Sequence, residues 1–218
     1  SADLDGDQDL DVLSASWEDE TVAWYENDGA TDPTFTKRVV TTTAVGADSV
    51  AIADLDGDQD LDVLSGDTVA WYENDGAPSP TFTMRVITTS ADDASAVATA
   101  DLDGDQDLDV LSASWLDDTV AWYENDGAAS PTFTKRIITT TADGAWSVAT
   151  ADLDGDQDLD VLSASEFDDT VAWYENDGAP SPTFTTHVIT TTADGAVSVA
   201  SADLDGDQDL DVLSASSN

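Results

Sequence analysis

Twenty-five aspartates stand in five tight groups, one in each copy of the decapeptide DLDGDQDLDV. Asp3, Asp5, Asp7, Asp9 and Asp11 form the first group, and Asp54, Asp56, Asp58, Asp60 and Asp62 the second. Asp101, Asp103, Asp105, Asp107 and Asp109 form the third, and Asp152, Asp154, Asp156, Asp158 and Asp160 the fourth. The fifth holds Asp203, Asp205, Asp207, Asp209 and Asp211. Carboxylates at this density repel one another unless a cation sits among them. Hard oxygen donors at alternating positions of a short loop suit Ca2+, which takes 6–8 oxygens in a flexible shell. One Ca2+ per loop, up to five in all, is the expectation.

Other chemistry is poorly served. The chain has no Cys and a single His, so neither a thiol nucleophile nor a Ser-His-Asp triad is to be expected. Carboxylate pairs of the glycosidase kind are plentiful. A catalytic pair, however, is a singular feature, and these carboxylates are copied five times. The expectation is a protein that is not an enzyme.

The 218 residues carry 48 acidic side chains against five basic ones, a formal charge of −43. Five divalent ions would bring that only to −33. Such a surface repels nucleic acid and anionic membranes, which need a basic footprint. Without Cys there are no disulfides, so cations would take over as the internal staple. That fits a secreted, extracellular or cell-surface setting. No run of about 18 apolar residues is present to cross a membrane as a helix. Ser1 opens in the middle of a repeat, as in a mature chain or a fragment.

The elements that must hold these loops repeat with them. The decapeptides start 51, 47, 51 and 51 residues apart. TVAWYENDG recurs at Thr21, Thr68, Thr119 and Thr170, and PTFT at Pro33, Pro80, Pro131 and Pro182. Each unit reads as four strands. The first is small and apolar, as in Val197 to Ala202; the Asp loop follows; the second is LDVLSAS, as in Leu10 to Ser16. The third is TVAWYEN, closed by an Asn-Asp-Gly turn, and the fourth is the β-branched run after PTFT. No segment keeps a 3.6-residue apolar period, so helices should be nearly absent. Repeats of about 50 residues with four antiparallel strands predict an all-β fold, a β-propeller of four to five blades. The loops would lie between strands 1 and 2 of each blade. The whole chain reads as one repeat domain, with units at about 1–46, 47–93, 94–144 and 145–195 and a partial unit at 196–218. Trp24, Trp71, Trp122 and Trp173 would fill the core between blades.

DLDGDQDLDV followed by a WYENDG strand resembles the FG-GAP or VCBS repeat, which also builds the propeller of integrin alpha subunits. The resemblance covers essentially the whole chain. It implies that loop positions 1, 3, 5 and 9 hold calcium through side chains and position 7 through its carbonyl. In the first loop these are Asp3, Asp5, Asp7 and Asp11, with the Asp9 carbonyl. The EF-hand, the rival for an Asp-x-Asp-x-Asp loop, needs Gly at position 6 and Glu at position 12, where this chain has Gln8 and Ser14.

Strand parity puts the Asp loops and the Asn-Asp-Gly turns on one face, and the connections 2–3 and 4–1 on the other. The units differ most on that second face. The 2–3 connection is Trp17-Glu18-Asp19-Glu20 in the first unit, Gly66-Asp67 in the second, Trp115-Leu116-Asp117-Asp118 in the third and Glu166-Phe167-Asp168-Asp169 in the fourth. Trp17, Trp115, Trp146 and Phe167 are therefore candidate ligand-binding residues, for carbohydrate or protein, on the face away from the metals. The resemblance implies the same face for recognition. All five basic residues fall on strand 4, and His187 takes the slot of Arg38, Arg85 and Arg136. The expected role is extracellular adhesion or recognition. The alternative is a structural subunit of an oligomer or filament, assembled through the incomplete terminal blade.

Overall fold

The computed structural model describes residues 1–66 and 68–217; Asp67 of the shortened second connection lies outside the described residues, as does Asn218. Seventeen strands form five antiparallel sheets, and the described residues contain no helix long and apolar enough to cross a membrane. The first sheet holds β1 (Val12–Ser16), β2 (Thr21–Asn27) and β3 (Phe35–Thr41), with Ala2 bridging to Asp11 as a stub of strand 1. The second holds β4 (Val50–Ala53), β5 (Asp62–Ser65), β6 (Val69–Asn74) and β7 (Phe82–Thr88). The third holds β8 (Ala94–Ala100), β9 (Asp109–Ser114), β10 (Thr119–Asn125) and β11 (Phe133–Thr139). The fourth holds β12 (Ala145–Ala151), β13 (Asp160–Ser165), β14 (Thr170–Asn176) and β15 (Phe184–Thr190). The fifth is the pair β16 (Ala196–Ala202) and β17 (Asp211–Ser216).

Strand order within each sheet follows the chain, so every connection is a hairpin. The expected four-strand unit is therefore present, with the Asp loop between its first two strands. The strand order along the chain gives each strand its composition. The first strands β4, β8, β12 and β16 lie against one another, and only Ala, Ser, Thr, Val and Ile with one Trp appear there. The fourth strands are outer edges, mostly exposed, and carry the Lys and Arg residues that discourage edge pairing. On these edges Arg38, Arg85 and Arg136 pair with Glu26, Glu73 and Glu124 of the neighbouring strand at 2.6–2.7 Å. His187 keeps that pattern, with Nε2 2.7 Å from Glu175 and its ring stacked on Trp173.

The core lies between sheets. Trp24 packs with Tyr72, Trp71 with Tyr123, and Trp122 with Tyr174, each in a cluster drawn from two successive units. These three tryptophans are buried, as expected, and Trp173 is half-buried beside the smaller fifth sheet. Buried side chains of this size stabilise by roughly 1.5–3 kcal/mol each. No unit can bury its own Trp-Tyr face, so each depends on its neighbour.

Candidate metal centres

Each Asp loop folds around its first aspartate. In the first loop Asp3 Oδ1 accepts from Gly6 N at 2.8 Å and Asp7 N at 3.1 Å, and Oδ2 accepts from Gln8 N at 2.9 Å. To aim those amides at one carboxylate the backbone enters the left-handed region twice. Gly6 has φ 76°, and so does Gln8. All five glutamines at this position share the conformation, with φ between 76° and 80°. At this position, where an EF-hand would carry Gly, each Gln adopts a left-handed backbone that Gly would take free of strain and that costs Gln about 1–2 kcal/mol.

The ninth position, first residue of strand 2, is an anchor. Asp62 Oδ2 accepts from Leu55 N at 3.1 Å and Oδ1 from Asn74 N at 2.9 Å, so one carboxylate ties loop, strand 2 and strand 3 together. Asp11, Asp109 and Asp160 repeat both bonds. Burial pushes the Asp62 and Asp109 carboxyls up to about 7 and raises that of Asp160. Burial, followed by repulsion from position 5, also raises Asp5, Asp56 and Asp103.

The loops gather three carboxylates with ligand atoms within 4.8 Å of one another. The trios are Asp3, Asp5 and Asp11; Asp54, Asp56 and Asp58; Asp101, Asp103 and Asp109; Asp152, Asp154 and Asp160; and Asp203, Asp205 and Asp211. Positions 1, 3 and 9 thus converge in four loops, and positions 1, 3 and 5 in the second. Among the remaining loop aspartates, Asp7, Asp105, Asp156 and Asp207 stand outside the trios, each accepting from the backbone N two residues on. The side chains of Asp9, Asp60, Asp107 and Asp158 lie instead against Gly29, Gly76, Gly127 and Gly178 of the Asn-Asp-Gly turns, where a Cβ would collide with the carboxylate. Asp209 at the same position of the fifth loop has no such turn in its sheet. The donor set fits a hard divalent cation. It is all carboxylate oxygen, and Asp5 Oδ1 is buried with no hydrogen-bond partner. An ionised oxygen left so is costly unless a cation completes it.

The turn asparagine carries a role its sequence did not disclose. Asn74 Nδ2 donates to Leu61 O of its own loop at 3.1 Å and to Leu4 O of the preceding loop at 3.0 Å. Asn125 does the same to Leu108 and Leu55, and Asn176 to Leu159 and Leu102. Asn27 reaches only Leu10 O of its own loop. Three side chains thus stitch four successive loops together on the face that carries the Asp loops. The Asn-Asp-Gly motif gave the turn; only bonds that span 70 or 74 residues reveal the stitch.

On the opposite face the four aromatic candidates separate. Trp115 meets Trp146 edge-on at 6.3 Å and Phe167 at 5.0 Å, and its Nε1 donates to Glu166 at 3.0 Å. These three form one cluster that caps adjacent units, with Trp115 and Trp146 partly buried and Phe167 exposed at its rim. Trp17 is 62% exposed. With Val45 and Leu116 it walls a groove of about 480 Å³, whose other residues include Glu18, Glu20, Asp92 and Asp93. The groove spans three units because the second unit's connection is four residues shorter. Asp48, near its edge, is raised by burial and by the charge of Asp93.

The FG-GAP-like repeat matches the chain four times, at residues 3–65, 63–112, 101–163 and 152–214. No curated protein matches it. Among solved structures, an Agrocybe aegerita lectin, described in its specific recognition of non-reducing terminal N-acetylglucosamine, shares 19% identity at a TM-score of 0.52. The V. cholerae biofilm matrix protein Bap1 shares 20% identity at a TM-score of 0.53. The matches cover 90% and 92% of this chain but only 52% and 30% of those chains, and at such identity the likeness is one of fold. Four repeat matches running from residue 3 to residue 214 establish that the chain belongs to the FG-GAP-like repeat family.

Proposed function

We propose that the chain is a calcium-braced, non-catalytic recognition module of an extracellular protein, its sheets arranged as blades of a β-propeller. The observation that carries the calcium reading is the convergence of three carboxylates in every loop, with Asp5 Oδ1 buried and unpartnered. Asp3, Asp5 and Asp11 would hold the ion in the first loop, the equivalent residues in the third, fourth and fifth, and Asp54, Asp56 and Asp58 in the second. The ion would supply structural charge neutralisation. The lectin and the biofilm matrix protein that share the fold support both the extracellular setting and recognition.

Recognition would use the face opposite the metals, and the Trp17 groove is its best-formed feature. Every ionised side chain in that groove is an acceptor. A ligand rich in donors therefore fits, and a carbohydrate offers hydroxyls for the carboxylates and a C–H face for Trp17. Two experiments test this reading. Excess EDTA should lower the melting temperature by tens of degrees, through the loss of RT ln(1 + [L]/Kd) per site; an unchanged melt would remove the calcium reading. A glycan array should show binding that Trp17→Ala abolishes. Binding indifferent to that change would move recognition elsewhere.

A structural role is the second reading, favoured by the fifth sheet. Leu204 is 62% exposed, whereas its equivalents Leu4, Leu55 and Leu102 are each 3% exposed beneath neighbouring units. One more repeat, supplied by a second copy of the chain, would cover that face. Light-scattering mass in calcium buffer decides it: a value near 22.8 kDa favours the module, and a growing polymer favours the building block.

A further inference from the structure

The stitching asparagines and anchoring aspartates alternate in one unbroken line across the metal face. Asp11 Oδ2 accepts from Leu4 N at 3.0 Å, and Leu4 O accepts from Asn74 Nδ2 at 3.0 Å. Asn74 N donates to Asp62 Oδ1 at 2.9 Å, and Asp62 Oδ2 accepts from Leu55 N at 3.1 Å. Leu55 O accepts from Asn125 Nδ2 at 2.9 Å, and Asn125 N donates to Asp109 Oδ1 at 2.9 Å. Asp109 continues to Leu102 at 3.0 Å, Leu102 to Asn176 at 2.9 Å, Asn176 to Asp160 at 2.9 Å, and Asp160 to Leu153 at 2.9 Å. Every third residue of the line is an aspartate at loop position 9. Every leucine in the line sits between the aspartates at positions 1 and 3 of its loop.

We infer that this belt couples the first four loops, so that they take up divalent cations cooperatively, while the fifth loop binds on its own. The inference rests on the calcium reading above and adds to it a relation between sites. Ordering the Asp109 carboxylate about an ion fixes the Asn125 backbone. The Asn125 side chain then holds Leu55, and with it the two aspartates that flank Leu55 in the preceding loop. An empty loop of repelling carboxylates works the other way, loosening its anchor and its neighbour's leucine. A ligand that orders a segment spares the next ligand that entropy, which is positive coupling without a change of fold. The coupling is reciprocal, and filling one site commonly raises the affinity of a coupled one by about 5–150-fold. The fifth loop lies outside the belt. Leu204 N still donates to Asp211, but the fifth sheet has no third strand to bring an asparagine.

Each loop carries its own reporter. The amides of Gly6, Gly57, Gly104, Gly155 and Gly206 donate to the first aspartate of their loops at 2.7–2.8 Å. The experiment is a titration of the metal-free chain with CaCl2, followed by calorimetry and by the NMR shifts of these five glycines. Expected are four glycines that move together with a Hill coefficient above 1, and Gly206 on a separate, non-cooperative curve. Asn125→Ala should cut the belt into two pairs, so that Gly57 and Gly104 part company by several-fold in midpoint. Asp101→Asn should weaken binding reported by both Gly57 and Gly155, and by Gly155 alone once Asn125 is Ala. Calcium binding with five independent curves and a Hill coefficient of 1 in the unaltered chain overturns the belt and leaves the calcium reading standing. No heat and no glycine shift removes both. The unaltered chain decides the matter even where a variant folds poorly, because the fifth loop is its internal control.

Discussion

Asn125→Ala is the sharpest test of how the units are joined. The side chain is 2% exposed. It makes three bonds: to Leu55 O at 2.9 Å, to Leu108 O at 3.1 Å, and from Gly127 N at 3.1 Å. Truncation strands two carbonyls beneath the metal face, and each stranded group costs ~1–3 kcal/mol. Gly127 is exposed and water can satisfy its amide. The loss should come to about 3 kcal/mol. Asn27→Ala removes the same atoms from a half-buried site with one loop carbonyl and no contact to another unit, and should cost ~1 kcal/mol. The difference of about 2 kcal/mol corresponds to a gap in melting temperature of about 4–8 °C for a chain of this size. The assay is urea unfolding in saturating calcium, followed by circular dichroism, with the denaturant slope unchanged between variants. Equal losses at the two positions would refute the claim that the interunit bond is what this side chain contributes.

Gly76→Ala should destabilise more than Gly57→Ala by thermal melt. Both glycines have positive φ, 64° and 75°, but a Cβ at Gly76 strikes Asp60 whereas one at Gly57 meets nothing within 4 Å. Gly66→Ala should destabilise as well, because a Cβ there runs into Ala94 O of the next unit; a neutral melt would contradict that close approach. The turn aspartate Asp126 is held below the usual carboxylate range by the Thr132 hydroxyl and by the Thr132 and Ala128 amides. A depressed carboxyl stabilises the fold above pH 3.8, and that contribution fades as pH falls through the lower folded value. Thr132→Val should return the Asp126 titration, read by carboxyl NMR, toward 3.8; no movement would show that the hydroxyl does not set it.

The strands were legible because each has a period-2 or β-branched pattern bounded by Asp, Asn, Gly or Pro. The loops were legible because five aspartates in nine residues admit few explanations. What the sequence withheld depends on distance. Asn125 reads as a turn residue, and nothing local reveals a bond to Leu55, 70 positions away. Gln8 reads as a spacer, since its φ of 76° follows from three amides converging on Asp3. The aromatic tips illustrate the same limit. Trp115 and Trp17 occupy equivalent positions, yet Trp115 finds Trp146 and Phe167 while Trp17 faces the shortened second unit. Their different exposure is a property of neighbours and not of the residues themselves.

The placement of every core between sheets has a mechanical consequence. Successive sheets are joined covalently by one short stretch of chain, such as residues 89–93 between β7 and β8, and the chain has no disulfide to add to it. Under tension such a fold is a row of links in series, and pulling at the ends detaches the units singly. A freed unit of 51 residues pays out roughly 170 Å of slack at ~3.4 Å per residue. The loops that lock strand 1 to strand 2 would set the force at each step. If the loops hold calcium as proposed, the dissolved ion would set that force, and the molecule would lengthen in stages under load.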